Sequence, residues 1–236
     1  MKNKIIQSIK FITSLIFIFF FYNIIIVIFF RFFDFPTTAF IQSNIENKLE
    51  TLVSTYDIKY SPISYSQISK YLPLAFIASE DQIFFDHLGF DFEQIEKAMK
   101  ENTYRKRQRG ASTISMQTAK NVFLWSGKSF IRKGMEAYYT LLMELLWSKK
   151  RIMEVYMNIA EMGNGIYGIN AAARIYFKKL PIKINRSEAA TIAAILPNPK
   201  KRNPTRPSSY IISRRERIMN QMNLIGGLDY IQKNLD

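Results

Sequence analysis

From Phe11 to Phe30 the chain reads FITSLIFIFFFYNIIIVIFF, with no charge between Lys10 and Arg31. At about 1.5 Å per helical residue this run spans roughly the 30 Å of a bilayer core, which predicts a transmembrane helix over residues 11–32. A cleaved signal peptide is the competing expectation, but its apolar region is usually about 7–15 residues and ends at small residues; this run is longer and continues into RFFDF. Lys2, Lys4 and Lys10 precede it, so the positive-inside tendency puts residues 1–10 in the cytoplasm and everything after the span outside. Residues 33–73 mix short apolar groups with Ser, Tyr and Pro, as in KYSPISYSQISKYLP, and read as a connector with one short helix or strand pair.

From Leu74 the apolar positions recur with helical spacing: in PLAFIASEDQIFF, DFEQIEKAMKE, STISMQTAKNVFLW and a long stretch from Ser129 to about Ile159. Strand-like alternation is nearly absent, so residues 74–236 are expected to form a mainly α domain. Gly89, Gly110, Gly127, the GNGIYG cluster, Pro197 and Pro199 mark its breaks. Ser148, and Ser187 with Glu188, read as helix N-caps.

Among 236 residues, 48% are hydrophobic, enough for one domain with a real core. The absence of cysteine excludes disulfides and thiolate metal sites and fits an oxidising outer compartment. A net charge of +14 predicts attraction to something anionic: lipid headgroups, a phosphorylated substrate or nucleic acid. An outward-facing domain argues against nucleic acid and leaves the membrane as an expected partner. The densest basic run, YRKRQRG from Tyr104 to Gly110, reads either as a solvated loop or as an anion contact.

The candidate chemistry starts with ASEDQIFFDHLGFD, where Glu80, Asp81, Asp86, His87 and Asp91 stand among phenylalanines although buried carboxylates are costly unless used or paired. In RGASTISMQTAKN, a helix starting near Ser112 or Thr113 puts Thr113, Gln117 and Lys120 on one face. The plain alternative is a polar solvent face. In GKSFIRKGMEAYYTLLMELL, the spacing of Lys128, Arg132 and Glu136 by four gives a row of two cations and an acid, which an ordinary surface ion pair also explains. Two carboxylates, Glu80 and Glu136, with Lys120, Lys128 and Arg132 suit transfer of a phosphate-linked sugar: one acid takes the proton of an attacking hydroxyl, and the cations stabilise a departing phosphate. Paired carboxylates are also the equipment of a glycosidase. His87 has no metal partner at i+4 and reads as a positioning residue; Ser112 lacks a G-x-S-x-G setting for a nucleophile.

These same segments resemble the peptidoglycan glycosyltransferases of family 51. ASEDQIFFDHLGFD resembles the first signature, E-D-x-x-F-x-x-H-x-G; RGASTISMQTAKN the second, G-x-S-T-x-x-Q-Q-x-x-K-N; and RKGME the third, R-K-x-x-E. KKRIMEVYMNIAEMGNGIYG is similar to the fourth and SEAATIAAILPNPKKRNP to the fifth, all in order over about Leu74 to Pro204. Neither S-x-x-K nor K-T-G occurs, so the resemblance is to the monofunctional, membrane-anchored members.

The resemblance implies a lysozyme-like, two-lobed helical fold and polymerisation of lipid II onto a growing glycan strand at the outer face of the bacterial cytoplasmic membrane. It implies Glu80 as general base on the incoming 4-hydroxyl and Glu136 as the acid near the leaving pyrophosphate. Lys120, Lys128, Arg132 and Lys133 would face phosphate; Ser112, Thr113, Gln117 and Asn121 would orient substrate or brace helices. Asp81, His87 and Asn158 would support them. It implies no obligatory cofactor, with Mg²⁺ or Mn²⁺ at the pyrophosphate optional, and other cell-wall synthesis or division proteins as further partners. Met116 departs from the family's first glutamine, which puts that amide's hydrogen bond in doubt, and Met157 replaces a common leucine, a conservative swap. A lysozyme-like hydrolase and a non-catalytic recruiter acting through the basic loop are the rival expectations.

Overall fold

The computed structural model describes residues 2–43, 58–105, 108–127 and 129–235. Lys128, Lys106 and Arg107 lie outside the described residues, so the expectations for the cation Lys128 and for much of the basic loop fall there too. The fold is mostly helical, as the spacing predicts.

The apolar run forms α1, Lys2–Phe32, exposed along most of its length. Its C-terminal third is different. Val27 is buried, and its carbonyl accepts from Trp147 Nε1 at 2.7 Å. Asn23, a polar group that burial would penalise without partners, bonds the Tyr139 hydroxyl and the Phe19 carbonyl. Arg151 donates to the carbonyls of Phe30 and Phe33 and pairs with Asp34 at 2.9 Å, so the frayed end of α1 is capped from the domain.

The connector contributes more than a tether. Lys59–Tyr60 forms β1, which runs parallel to β3 (Ile166–Tyr167); β2 (Glu161–Gly163) pairs antiparallel on its other side, giving the order β1-β3-β2. The register sets Lys59 opposite Ile166 and Tyr60 opposite Tyr167. The GNGIYG cluster is thus a small hairpin. It leads into Gly168, whose φ of +77° and approach to the Asn158 carbonyl, 2.2 Å from where a Cβ would stand, leave room for glycine alone.

Helix α2, Tyr71–Glu80, begins three residues before the periodic pattern and carries YLPLAFIASE. Leu72 to Ala78 are all buried, because a helix apolar on every side finds its place only in a core. It packs against α8 (Arg186–Ile195), α9 (Ser209–Leu224) and α10 (Gly227–Leu235). Alanine-rich α8 lets the helices approach closely; its N-cap is Asn185, not the expected Ser187, because Asn185 and Glu188 complete a reciprocal capping box across the first turn.

Between them in sequence come α3 (Phe92–Asn102), α4 (Ile114–Phe123), α5 (Phe130–Leu146), α6 (Lys149–Ile159) and α7 (Gly168–Phe177). Helix α4 packs on α5 and α6, and α5 also carries α1. Ser148 caps α6 as expected, accepting from Arg151 N. Helix α5 starts at Phe130 with Ser129 as its cap, so the expected helical row holds for Arg132 and Glu136.

Candidate active site

The helix expected to run on through Phe85 stops at Glu80. Asp81 adopts φ −161°, its N–H still bonding Ile77 O at 3.0 Å, and residues after it turn, with Phe84 N bonding Asp81 O and Asp86 N bonding Ile83 O. The reason is Asp81 itself, whose carboxylate has stronger work elsewhere: it accepts from Ile114 N at 3.0 Å, at the start of α4, and from His87 Nε2 at 2.9 Å. The N–H of Gly89 donates to His87 Nδ1 at 3.0 Å, which leaves the ring proton on Nε2, directed at Asp81. His87 therefore holds the turn, as its isolation in the sequence suggests. Gly89 is needed twice over: its φ is +85°, and a Cβ there would stand 2.6 Å from Thr140 Cγ2.

Thr113 caps α4, accepting from Met116 N, and donates to the Gly89 carbonyl at 2.6 Å. It joins α4 to the turn and is itself buried. One turn on, Gln117 Nε2 donates to Glu80 Oε2 at 3.2 Å. Ser79 Oγ lies 3.3 Å from Glu80 Oε1, and Arg214 Nη2 from α9 lies 3.5 Å from the same oxygen. Burial raises the pKa of Glu80, its side chain being 16% exposed, and Asp81 adds to the rise; Gln117, Arg214 and Ser79 oppose it. Glu80 borders a cleft of about 640 Å³ whose walls include Ser112, Gln117, Arg109 and Arg214. Phe84 is fully buried beneath the turn, Phe85 packs edge-on against Tyr230, and Ile83 reaches the cleft.

Glu136 stands elsewhere. It is 3% exposed and held between Arg132 Nη1 at 3.0 Å and Lys133 Nζ at 2.5 Å. Lys120, on α4, shares this cluster: burial lowers its pKa, Glu136 opposes that, and Arg132 and Lys133 reinforce it. Its Nζ also lies 5.9 Å from the centre of the Phe40 ring. None of Glu136, Lys120, Arg132 and Lys133 borders the cleft at Glu80. The expected site residues therefore gather in two groups joined by α4, Gln117 serving the first and Lys120, three residues on, the second.

The supporting residues fall as follows. Asn158 ties both the N–H and the carbonyl of Ile63 to α6. Asn121 is buried on α4, and Ser112 is exposed at the cleft. Met116 is buried in the core, so the amide that reaches Glu80 is that of Gln117, and the departure at Met116 leaves that bond intact. Met157 is likewise buried. Arg214 was not legible in the sequence: it is one of several cations in SRRER, ten residues beyond the last signature segment, and only packing of α9 against α2 brings it to Glu80.

A family model described as Transglycosylase matches residues 46–223. The chain is 54% identical over 175 residues to a biosynthetic peptidoglycan transglycosylase of Bacteroides thetaiotaomicron, covering 74% of this chain and 71% of the relative. It is 50% identical over 207 residues to the protein of the same description from Mannheimia succiniciproducens, covering 86% and 83%. With that of Haemophilus influenzae it shares 47% identity over 213 residues, covering 89% and 86%. The match extends over the β1 segment, the Glu80 turn, α4 and the Glu136 cluster alike, and the chain belongs to the transglycosylase family.

Proposed function

We propose that the protein is a peptidoglycan glycosyltransferase that polymerises lipid II into glycan strands at the outer face of the bacterial cytoplasmic membrane, without transpeptidation. Glu80 takes the proton of the incoming 4-hydroxyl as its oxygen bonds to the anomeric carbon of the growing strand. The bond from that carbon to the pyrophosphate breaks in the same displacement, the carbon inverts, and undecaprenyl pyrophosphate leaves. The observation that carries this reading is the setting of Glu80: largely buried, raised in proton affinity, oriented by the neutral amide of Gln117 and open to a cleft. A base whose pKa is brought nearer the working pH accepts a proton without losing its driving force.

Lys120, Arg132 and Lys133 are the cations assigned to the departing pyrophosphate, with Lys128 beside them in sequence. Glu136 holds Arg132 and Lys133 in place, and Arg132 Nε, buried without a partner among the described residues, is a donor left for a phosphate oxygen. The same arrangement disfavours a hydrolase with Glu136 as its second acid, since that carboxylate already holds two cations and does not border the cleft.

The test is polymerisation of labelled lipid II by the purified protein, with and without Mg²⁺ or Mn²⁺. Long glycan from the unmodified chain and none from Glu80→Gln, with both proteins folded, is the expected result. Full activity of Glu80→Gln would remove the base assignment, and release of muropeptides from finished cell wall would favour hydrolysis.

A further inference from the structure

The segment KKRIMEVYMN forms the first ten residues of α6, yet none of its side chains borders the cleft. Its first residue nevertheless reaches the turn that follows the base. Lys149 Nζ donates to the His87 carbonyl at 2.6 Å and to Glu144 Oε1 at 2.8 Å, and lies 4.6 Å from the centre of the Phe84 ring. The Glu144 side chain is 2% exposed and that of Lys149 20%. The same Glu144 oxygen accepts from Ser115 Oγ on α4 at 2.5 Å. One carboxylate oxygen thus gathers α4, α5 and α6, and the ammonium carries the connection to the turn.

A buried ion pair is weak evidence for stability, because desolvation offsets most of the attraction. What distinguishes this one is where it ends. It terminates on a backbone carbonyl of the turn, and from there a continuous set of bonds returns to Glu80. His87 donates to Asp81, Asp81 accepts from Ile114 N at the start of α4, and Gln117, one turn along α4, donates to Glu80. Asp81 is also the residue next to Glu80, so a displacement of His87 acts on the base from both sides.

We infer that Lys149 and Glu144 are positioning residues for the transfer step, fixing the Asp81–Gly89 turn so that Glu80 is held in its productive orientation. The inference rests on the proposed role of Glu80 and adds to it two residues that do not line the cleft. Loss of the Lys149 bond frees the His87 carbonyl, loosens the hold on Asp81 and lets water reach Glu80. Misplacement of a reacting group by about 1 Å costs on the order of 10²-fold in rate.

Three variants assayed on lipid II in the full-length chain test this. Lys149→Met is expected to lower kcat by about 10²-fold while KM stays within about twofold, the mark of an effect on the chemical step. The acid limb of its pH–rate profile should move to lower pH, because Glu80, faced by Asp81, Tyr156 and Arg214 with Gln117 and Ser79 bonded to it, would be better hydrated. The triple variant Ser115→Ala, Glu144→Leu and Lys149→Met replaces the pair and the hydroxyl bonded to it by apolar groups and should recover the melting temperature, yet kcat should stay low because the His87 carbonyl is still unheld. Recovery of kcat together with melting temperature, or an unchanged kcat in Lys149→Met, would overturn the inference. Glu80→Gln run in parallel separates the two readings: activity there removes the base itself, whereas activity in Lys149→Met alone removes only the brace.

Discussion

Glu80 and Glu136 are both largely buried glutamates at the edge of the same helical body, and they are treated in opposite ways. Glu80 receives a neutral amide at 3.2 Å and a hydroxyl, with its nearest cation at 3.5 Å; Glu136 receives two cations directly. Neutral donors orient a carboxylate while leaving it able to take a proton, so burial dominates and the pKa of Glu80 rises. Direct ion pairs commit the carboxylate to its partners. In the proposed mechanism, two acids that look equivalent in the sequence thus divide the labour, Glu80 as the base and Glu136 as the counter-ion that keeps Arg132 and Lys133 in formation.

The sharpest way to break this comparison is to exchange each acid for its amide. Glu80→Gln should lower the polymerisation rate by about 10²–10⁴-fold, the usual contribution of a general base, and glycan chain formation measures it. Glu136→Gln should act first on stability. Leaving Arg132 with an uncompensated charge in a buried setting costs about 3 kcal/mol, visible as a lower denaturation midpoint. Equal rate losses in the two variants at unchanged stability would erase the distinction.

Smaller effects sharpen it. Arg214 lowers the pKa of Glu80 against the pull of burial, so Arg214→Met should move the acid limb of the pH–rate profile to higher pH. An unmoved limb would show that Arg214 is electrostatically idle. The smallest effect has an unusual sign. The folded-state pKa of Glu80 lies above its unfolded value, so the folded chain holds this proton more tightly and the associated stability is present at low pH and lost as pH rises through the folded pKa. Glu80→Gln, which cannot ionise, should therefore melt slightly higher than the unmodified chain at neutral pH, although it is the most damaging to activity; differential scanning at pH 5 and pH 8 reads the sign.

Beside these clusters, the C-terminal end of α1 shows how the helix is held to the domain. Val27, Phe30 and Phe33 offer carbonyls to Trp147 and Arg151, and Asn23 meets Tyr139. Arg151 sits two residues beyond Lys149 on α6, so a single turn of that helix grips the end of the apolar helix with one cation and the turn behind Glu80 with another.

What the sequence determined by itself are the features set by near neighbours along the chain. The charge-free run of α1, the helical spacing after Leu74 and the cap at Ser148 depend on contacts within about four residues, which the order of side chains writes directly. His87 as a packing residue was legible because it had no partner of its own kind. The stop at Glu80, the approach of Arg214 and the bond from Lys149 to His87 were decided by tertiary structure alone. Each depends on groups from separate elements, such as Gln117 and Glu80 37 residues apart, meeting only when the apolar faces of those helices have packed. A buried polar group takes whichever partner that packing brings within reach, and no spacing rule along the chain specifies which one it will be.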